Sequence, residues 1–214
     1  MRHLRKYIAS FLALLLLSGC SVHGEAPQQT TAPSSSTNGG LVCEEISRFS
    51  GAFVEDGKDQ QVKDVAAILV ANQTEQFLDL ATVTYQVGDR TATFQITGLP
   101  AGRKVWVMES NRLTLKDGDE LVLKDCVESY RPDPIVTSDA LSVSRQGQYL
   151  TLTNTSDSKL VNVAVYYKNT LEDGTFLGGI TYVMAFGDME PGATKTIGKD
   201  HFDQTSEILR FSYQ

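Results

Sequence analysis

Two hydrophobic patterns divide the chain. Residues 8–17 form an apolar run interrupted only by Ser10. From Leu41 onward, apolar residues recur at alternate positions in short segments, separated by Gly, Asp, Asn and Pro. Between the two patterns, residues 21–40 (SVHGEAPQQTTAPSSSTNGG) carry almost no large apolar side chain. Such a segment buries too little surface to offset its ordering entropy, and it reads as a disordered tether. Alternation rich in β-branched residues predicts strands. No segment keeps a helical period. Residues 62–70 are the best helix candidate, but they are short and rich in Val and Ile.

In the first half, strands are predicted over 64–72 (DVAAILVAN), 77–87 (FLDLATVTYQV), 90–97 (RTATFQIT) and 103–109 (RKVWVME). Gly88-Asp89 reads as a turn. Residues 113–115 and 120–127 flank Lys116-Asp117-Gly118-Asp119, where Asp-Gly signals a hairpin. Pro132 and Pro134 then enforce an extended break, which places a linker over 129–139.

The second half is also strand-like. In 159–168 (KLVNVAVYYK), Val161, Val163, Val165 and Tyr167 share one parity and therefore one face. Residues 175–186 read as one long strand, or as two broken at Gly178-Gly179. The expected fold class is all-β: two small sandwiches in tandem, over 41–128 and 140–214.

The halves repeat. Ile68–Asn72 falls on Leu150–Asn154, and Ala81–Tyr85 on Val163–Tyr167, both at an offset of 82. Asn72 and Asn154 each end a strand and open a polar turn. Pro100 falls on Pro191 at an offset of 91, which puts about nine extra residues in the second unit's middle hairpin and Trp106 on Ile197. The segments 150–154, 161–167 and 190–192 resemble the FxLYD-like and related immunoglobulin-like domains of bacterial surface lipoproteins. The resemblance implies a small β-sandwich and transfers no catalytic residue. The order Cys43, Trp106, Cys126 departs from that of antibody domains, where Trp follows soon after the first Cys.

The first pattern is an export signal. Arg2, Arg5 and Lys6 precede the apolar run, whose ten residues fall short of the about 20 that span a bilayer. Leu17-Ser18-Gly19-Cys20 resembles the lipobox of bacterial lipoprotein precursors. That resemblance implies cleavage before Cys20 and acylation of its sulfur, for example with palmitate, so that 1–20 is a signal peptide through the lipidated Cys. Several acyl chains would anchor the protein firmly, at about 0.8 kcal/mol per buried CH₂. The expected location is the extracytoplasmic face of the cell membrane.

Charge narrows the partners. Removing residues 1–19 takes away three basic groups and no acid, which lowers the formal charge from −7 to −10. This argues against nucleic acid and against adsorption on anionic lipid. Cys43 and Cys126 lie at the two ends of the first domain, outside the membrane, where disulfides persist. Their bridge would close a loop of about 80 residues and stabilise by roughly 4–5 kcal/mol. The alternative is two free buried thiols.

Reactive side chains are sparse. His201 is the sole histidine after the tether and reads as a surface residue. A nucleophile–base pair has no other imidazole to draw on, and no two-His metal motif or Gly-rich phosphate loop is present. The acids Glu55, Asp56 and Asp59, and Asp117, Asp119 and Glu120, fall in predicted turns. They read as solvated, with weak Ca²⁺ binding as the alternative. No cofactor is expected. Tyr166, opposite in parity to Tyr167, and Tyr182 are candidates for an exposed platform that binds a sugar or peptide. The sequence thus predicts a non-catalytic surface lipoprotein that binds an envelope protein or polysaccharide. The alternatives are a lipid-anchored accessory subunit of a transporter or envelope enzyme, and a carboxylate-based wall hydrolase.

Overall fold

The computed structural model describes residues 28–30, 35–36, 39–132 and 134–214. The predicted signal segment, with Cys20, lies outside them, as does most of the predicted tether. Within the described residues the chain is all-β, with β1 (Gln28–Thr30), β2 (Ser35–Ser36), β3 (Leu41–Phe53), β4 (Gln60–Asn72), β5 (Phe77–Val87), β6 (Arg90–Leu99), β7 (Lys104–Met108), β8 (Val122–Arg131), β9 (Leu141–Gln146), β10 (Tyr149–Asn154), β11 (Leu160–Thr170), β12 (Phe176–Met189), β13 (Thr194–Gly198) and β14 (Ser206–Ser212). A single 3-10 turn, Val54–Asp56, follows β3. In the region read as a tether, β1 and β2 both pair antiparallel with β3.

Residues 62–70, the helix candidate, lie inside β4. Both neighbours of β4 are strands and both of its faces are covered. The apolar run is therefore continuous rather than alternating, as in strands buried on two sides. Ala66, Ile68 and Val70 face the core of the first half. Val65 and Ala67 face a second cluster with Phe49, Phe53, Trp106 and Met108.

Each half is a two-sheet sandwich consistent with an immunoglobulin-like arrangement. In the first, β3-β4-β7 packs on β6-β5-β8; in the second, β9-β10-β13 packs on β12-β11-β14. The strand order is the same in both. The repeat extends to single hydrogen bonds. Buried Asn72 donates from Nδ2 to the carbonyls of Gln76 and Leu99, at 2.9 and 3.0 Å, and its Oδ1 accepts from Thr74 N–H and Oγ1–H. Buried Asn154 does the same with Ser158 and Met189, at 2.8 and 3.0 Å, and with Ser156. Each Asn ties the turn after its strand to the strand across the sandwich, and this fixes its residue type.

The later offset needs correction. Leu69 pairs with Trp106 and Thr151 with Thr196, so the late strands align at 90, not 91. Trp106 therefore corresponds to Thr196, and Val107 to Ile197. The insertion is eight residues rather than nine.

Two further expectations change. Lys116–Asp119 is a turn, closed by Asp119 N–H on the Lys116 carbonyl at 3.2 Å, but it does not make a hairpin. Residues 113–115 bond to the β4 side, with Ala66 N–H on the Leu113 carbonyl, while β8 pairs with β5. The turn crosses from one sheet to the other. In β11, Leu160 is buried with Val163, Val165 and Tyr167, whereas Val161 is half-exposed. A bulge at Asn162, with φ 56°, shifts the parity at that point.

The halves do not sit as separate beads. β12 pairs parallel with β7 through Phe176↔Val105 and Leu177↔Trp106. One eight-stranded sheet thus runs from β1 through β3, β4 and β7 of the first sandwich into β12, β11 and β14 of the second.

Candidate functional site: the junction and the groove beside it

The chemistry of the junction centres on Gly178-Gly179-Ile180, where β12 leaves β7. Gly179 sits so close to β6 that a Cβ there would lie 1.9 Å from the Gln95 carbonyl oxygen. Only glycine lets the two backbones approach this closely. The close approach turns the peptide groups of 178–180 to either side, and two ionic side chains collect them. Glu55, in the 3-10 turn of the first half, accepts the N–H of Gly179 on both oxygens, at 2.9 Å, and that of Ile180 at 3.2 Å. It also accepts Met108 N–H at 2.8 Å. Lys168, fully buried on β11, donates from Nζ to the carbonyls of Gly178, Gly179 and Ile180, at 2.8, 2.6 and 2.6 Å. Burial pushes the Lys168 ammonium down to about 7, against the Glu55 charge; it pushes the Glu55 carboxyl up, against the N–H groups of Gly179 and Met108 and then the Lys168 charge.

Around this clamp, further contacts join the halves. Arg103 forms a two-pronged pair with Glu207, at 2.7 and 2.9 Å, and its guanidinium covers the Phe176 ring at 4.4 Å. Thr97 Oγ1 donates to Thr181 Oγ1 at 3.0 Å or to the Gly179 carbonyl, while Thr181 Oγ1 donates to the Thr97 carbonyl.

His201 is not a free surface histidine. Its ring stacks on Tyr182, with centroids 5.0 Å apart and planes 8° off parallel. Nε2 lies 3.0 Å from the Gly57 carbonyl oxygen and Nδ1 lies 3.3 Å from Asp59. The acidic turns are partly engaged, although the Asp117 side chain is 99% exposed. Asp56 pairs with Arg112, Asp117 with Arg48 and Asp119 with Arg90. Among the described residues, no three His, Cys, Asp or Glu side chains converge as a metal site would require.

The two platform candidates do not meet. Tyr182 lies opposite Tyr167 in register and shares its face, with ring centroids 5.3 Å apart. Burial raises the phenols of both, that of Tyr167 to about 12. Tyr166 points to the other face, where the Arg210 guanidinium lies 3.5 Å from its ring centroid. Tyr166 borders a groove of about 290 Å³ between the β6-β5-β8 sheet and the second half. Exposed Val183 gives its apolar surface, with buried Phe77 and Leu209 behind it, and Thr97 and Thr181 line it with hydroxyl oxygens. Asp79, held by Arg131 at 3.2 Å, lies at its edge.

The expected Cys43–Cys126 disulfide is not found in the structure. Cys43 is buried on β3 and Cys126 half-buried on β8, in opposite sheets. Each sulfur bonds along its own strand, Cys43 to the Glu45 carbonyl at 3.5 Å and Cys126 to the Glu128 carboxylate at 3.3 Å.

Sequence reading took Glu55 as a solvated turn acid, whereas it accepts the N–H groups of Met108, Gly179 and Ile180, and it missed Lys168 and Arg210. A lysine ending an apolar strand and a Gly-Gly pair within a long one were the available signals for the clamp. Arg210 gave none, since its role depends on which strand lies beside it.

The fold is thus a pair of like sandwiches merged through one sheet, with a groove alongside the seam. No protein-family model matches the sequence, and no curated protein is significantly similar to it.

Proposed function

We propose that the chain is an exported, non-catalytic lipoprotein of the cell envelope. Cys20, acylated after cleavage of the signal, anchors it, and the two FxLYD-like modules bind an envelope protein or polysaccharide from the extracytoplasmic face. The anchor rests on Leu17-Ser18-Gly19-Cys20 behind a basic start and a ten-residue apolar run. The binding role is carried by one observation: two ionic side chains, half-buried Glu55 and fully buried Lys168, fix the orientation of the two modules through the same peptide segment, sharing two of its peptide groups. Burying charge costs stability unless it is fully bonded. A fixed angle between modules is of use where a surface spanning both must meet a partner without an ordering cost. The surplus of acid argues for a partner that is not nucleic acid.

Membrane fractionation of the wild type and of Cys20→Ala tests the anchor. The wild type should stay with the membrane and take up labelled palmitate, and the variant should do neither. Cross-linking in intact cells tests the binding role. A stoichiometric envelope partner supports it, and a transporter permease as that partner selects the accessory-subunit alternative. Hydrolysis of wall polymer by the purified protein overturns the non-catalytic reading.

A further inference from the structure

Seven arginines lie among the described residues. Five pair with carboxylates: Arg48, Arg90, Arg103, Arg112 and Arg131. Arg145 donates to the Ser206 carbonyl. Arg210 differs. Its described contact is the face of Tyr166, and its N–H groups meet no acceptor among the described residues. Arg210 thus stands apart from the other described arginines, in a chain whose acids outnumber its bases 26 to 19. Stacking fixes the guanidinium plane on the ring and leaves its N–H edge in the groove wall.

We infer that the groove beside the seam binds a monocarboxylate on a small apolar body, with Arg210 holding the carboxylate and Tyr166 holding Arg210 in place. The guanidinium fork matches a carboxylate in two parallel hydrogen bonds. The other charges at the groove cancel, since Arg131 is paired with Asp79. Among the described residues one unit of positive charge therefore remains at the groove, and the Asp79 carboxylate disfavours a doubly charged phosphate. Val183, exposed over buried Phe77 and Leu209, offers the body of the ligand an apolar surface, and about 290 Å³ suits a group of amino-acid size. The Thr97 and Thr181 hydroxyl protons are already given to each other and to backbone carbonyls, so toward a ligand amide these oxygens act only as acceptors of its N–H. This inference deepens the binding reading above and rests on it. A free small acid and the carboxyl end of a peptide share the chemistry.

Calorimetric titration of the full-length protein in detergent tests it, with three probes: N-acetyl-L-phenylalanine, its neutral amide, and 3-phenylpropionate. The acetylated acid should bind saturably, and the amide at least about tenfold more weakly. Binding of 3-phenylpropionate as tight as that of the acetylated acid assigns free acids. Binding about tenfold weaker assigns a peptide terminus. Arg210→Gln should abolish binding. Should that variant fail to fold, Val183→Asp, at a position 45% exposed, puts a like charge in the wall and should abolish it too. Absence of saturable heat with either acid up to about 10 mM overturns the inference, as does equal binding of acid and amide or unchanged binding by a folded variant. If wild type binds neither acid but Arg210→Gln still captures a cross-linked envelope partner, the groove is excluded and the binding reading stands.

Discussion

Glu55 and Lys168 hold opposite poles of one peptide segment: the carboxylate takes the N–H groups of Gly179 and Ile180, and the ammonium takes the carbonyls of Gly178, Gly179 and Ile180. They come from different sandwiches, 113 positions apart in the chain. Removing one leaves the other's charge uncompensated beside unsatisfied peptide groups. Glu55→Gln and Lys168→Met are each expected to cost about 3–5 kcal/mol, and the double variant clearly less than the sum. Urea denaturation of the four proteins in the cycle measures this. Additive losses would show that the two ions do not act on a shared segment.

Gly179 and Gly174 make a controlled pair. Alanine at 179 meets the Gln95 carbonyl, so the strands must separate; a loss above about 4 kcal/mol is expected. Gly174 has φ 83° but open space around it, so alanine there should cost only about 1 kcal/mol of backbone strain. Thermal unfolding of both variants compares them. Similar losses would mean that the close approach at 179 is relieved without parting the halves.

Asn72→Ala and Asn154→Ala remove the same four bonds from equivalent places. Each should destabilise by about 2–4 kcal/mol, through buried carbonyls and turn donors left unpaired. Because one sheet runs through both halves, each substitution should shift a single transition, followed by circular dichroism, rather than split it in two.

Stability should fall in acid through two identifiable carboxylates. Backbone N–H of Lys116, with Arg90, holds Asp119 below its ordinary value; N–H of Asn162, with Lys159, does the same for Asp188. A depressed folded value means that the stabilisation is fully present above the unfolded value of about 3.9 and is lost as pH falls through the folded one. The urea midpoint should drop below pH 4, and Asp188→Asn should flatten part of that drop. An unchanged profile in the variant would remove Asp188 as a contributor.

The two thiols should differ in reactivity. Cys43 is 1% exposed, and burial pushes its thiol up, away from the reactive thiolate. Iodoacetamide should label Cys126 first and Cys43 only on unfolding, as peptide mass mapping reads. A peptide pair joined through both sulfurs would contradict the absence of a Cys43–Cys126 bridge.

Sequence by itself determined the local structure and the repeat. Alternation in 77–87 and 90–97 fixed strands, and Asn72 and Asn154 marked equivalent corners, because parity and turn chemistry act over a few residues. It could not place Trp106 against Thr196 rather than Ile197, since a one-residue choice in a loop is settled by the facing strand. It also could not see that a sheet of one half continues into the other. That needed Gly179 to touch Gln95, Glu55 to reach the peptides of 179 and 180, and Lys168 to find three carbonyls. These contacts span 84 to 125 positions for the first two and 10 to 12 for the last. Tertiary structure decided them, because the satisfaction of a buried charge depends on every group around it, and no window of sequence contains those groups together.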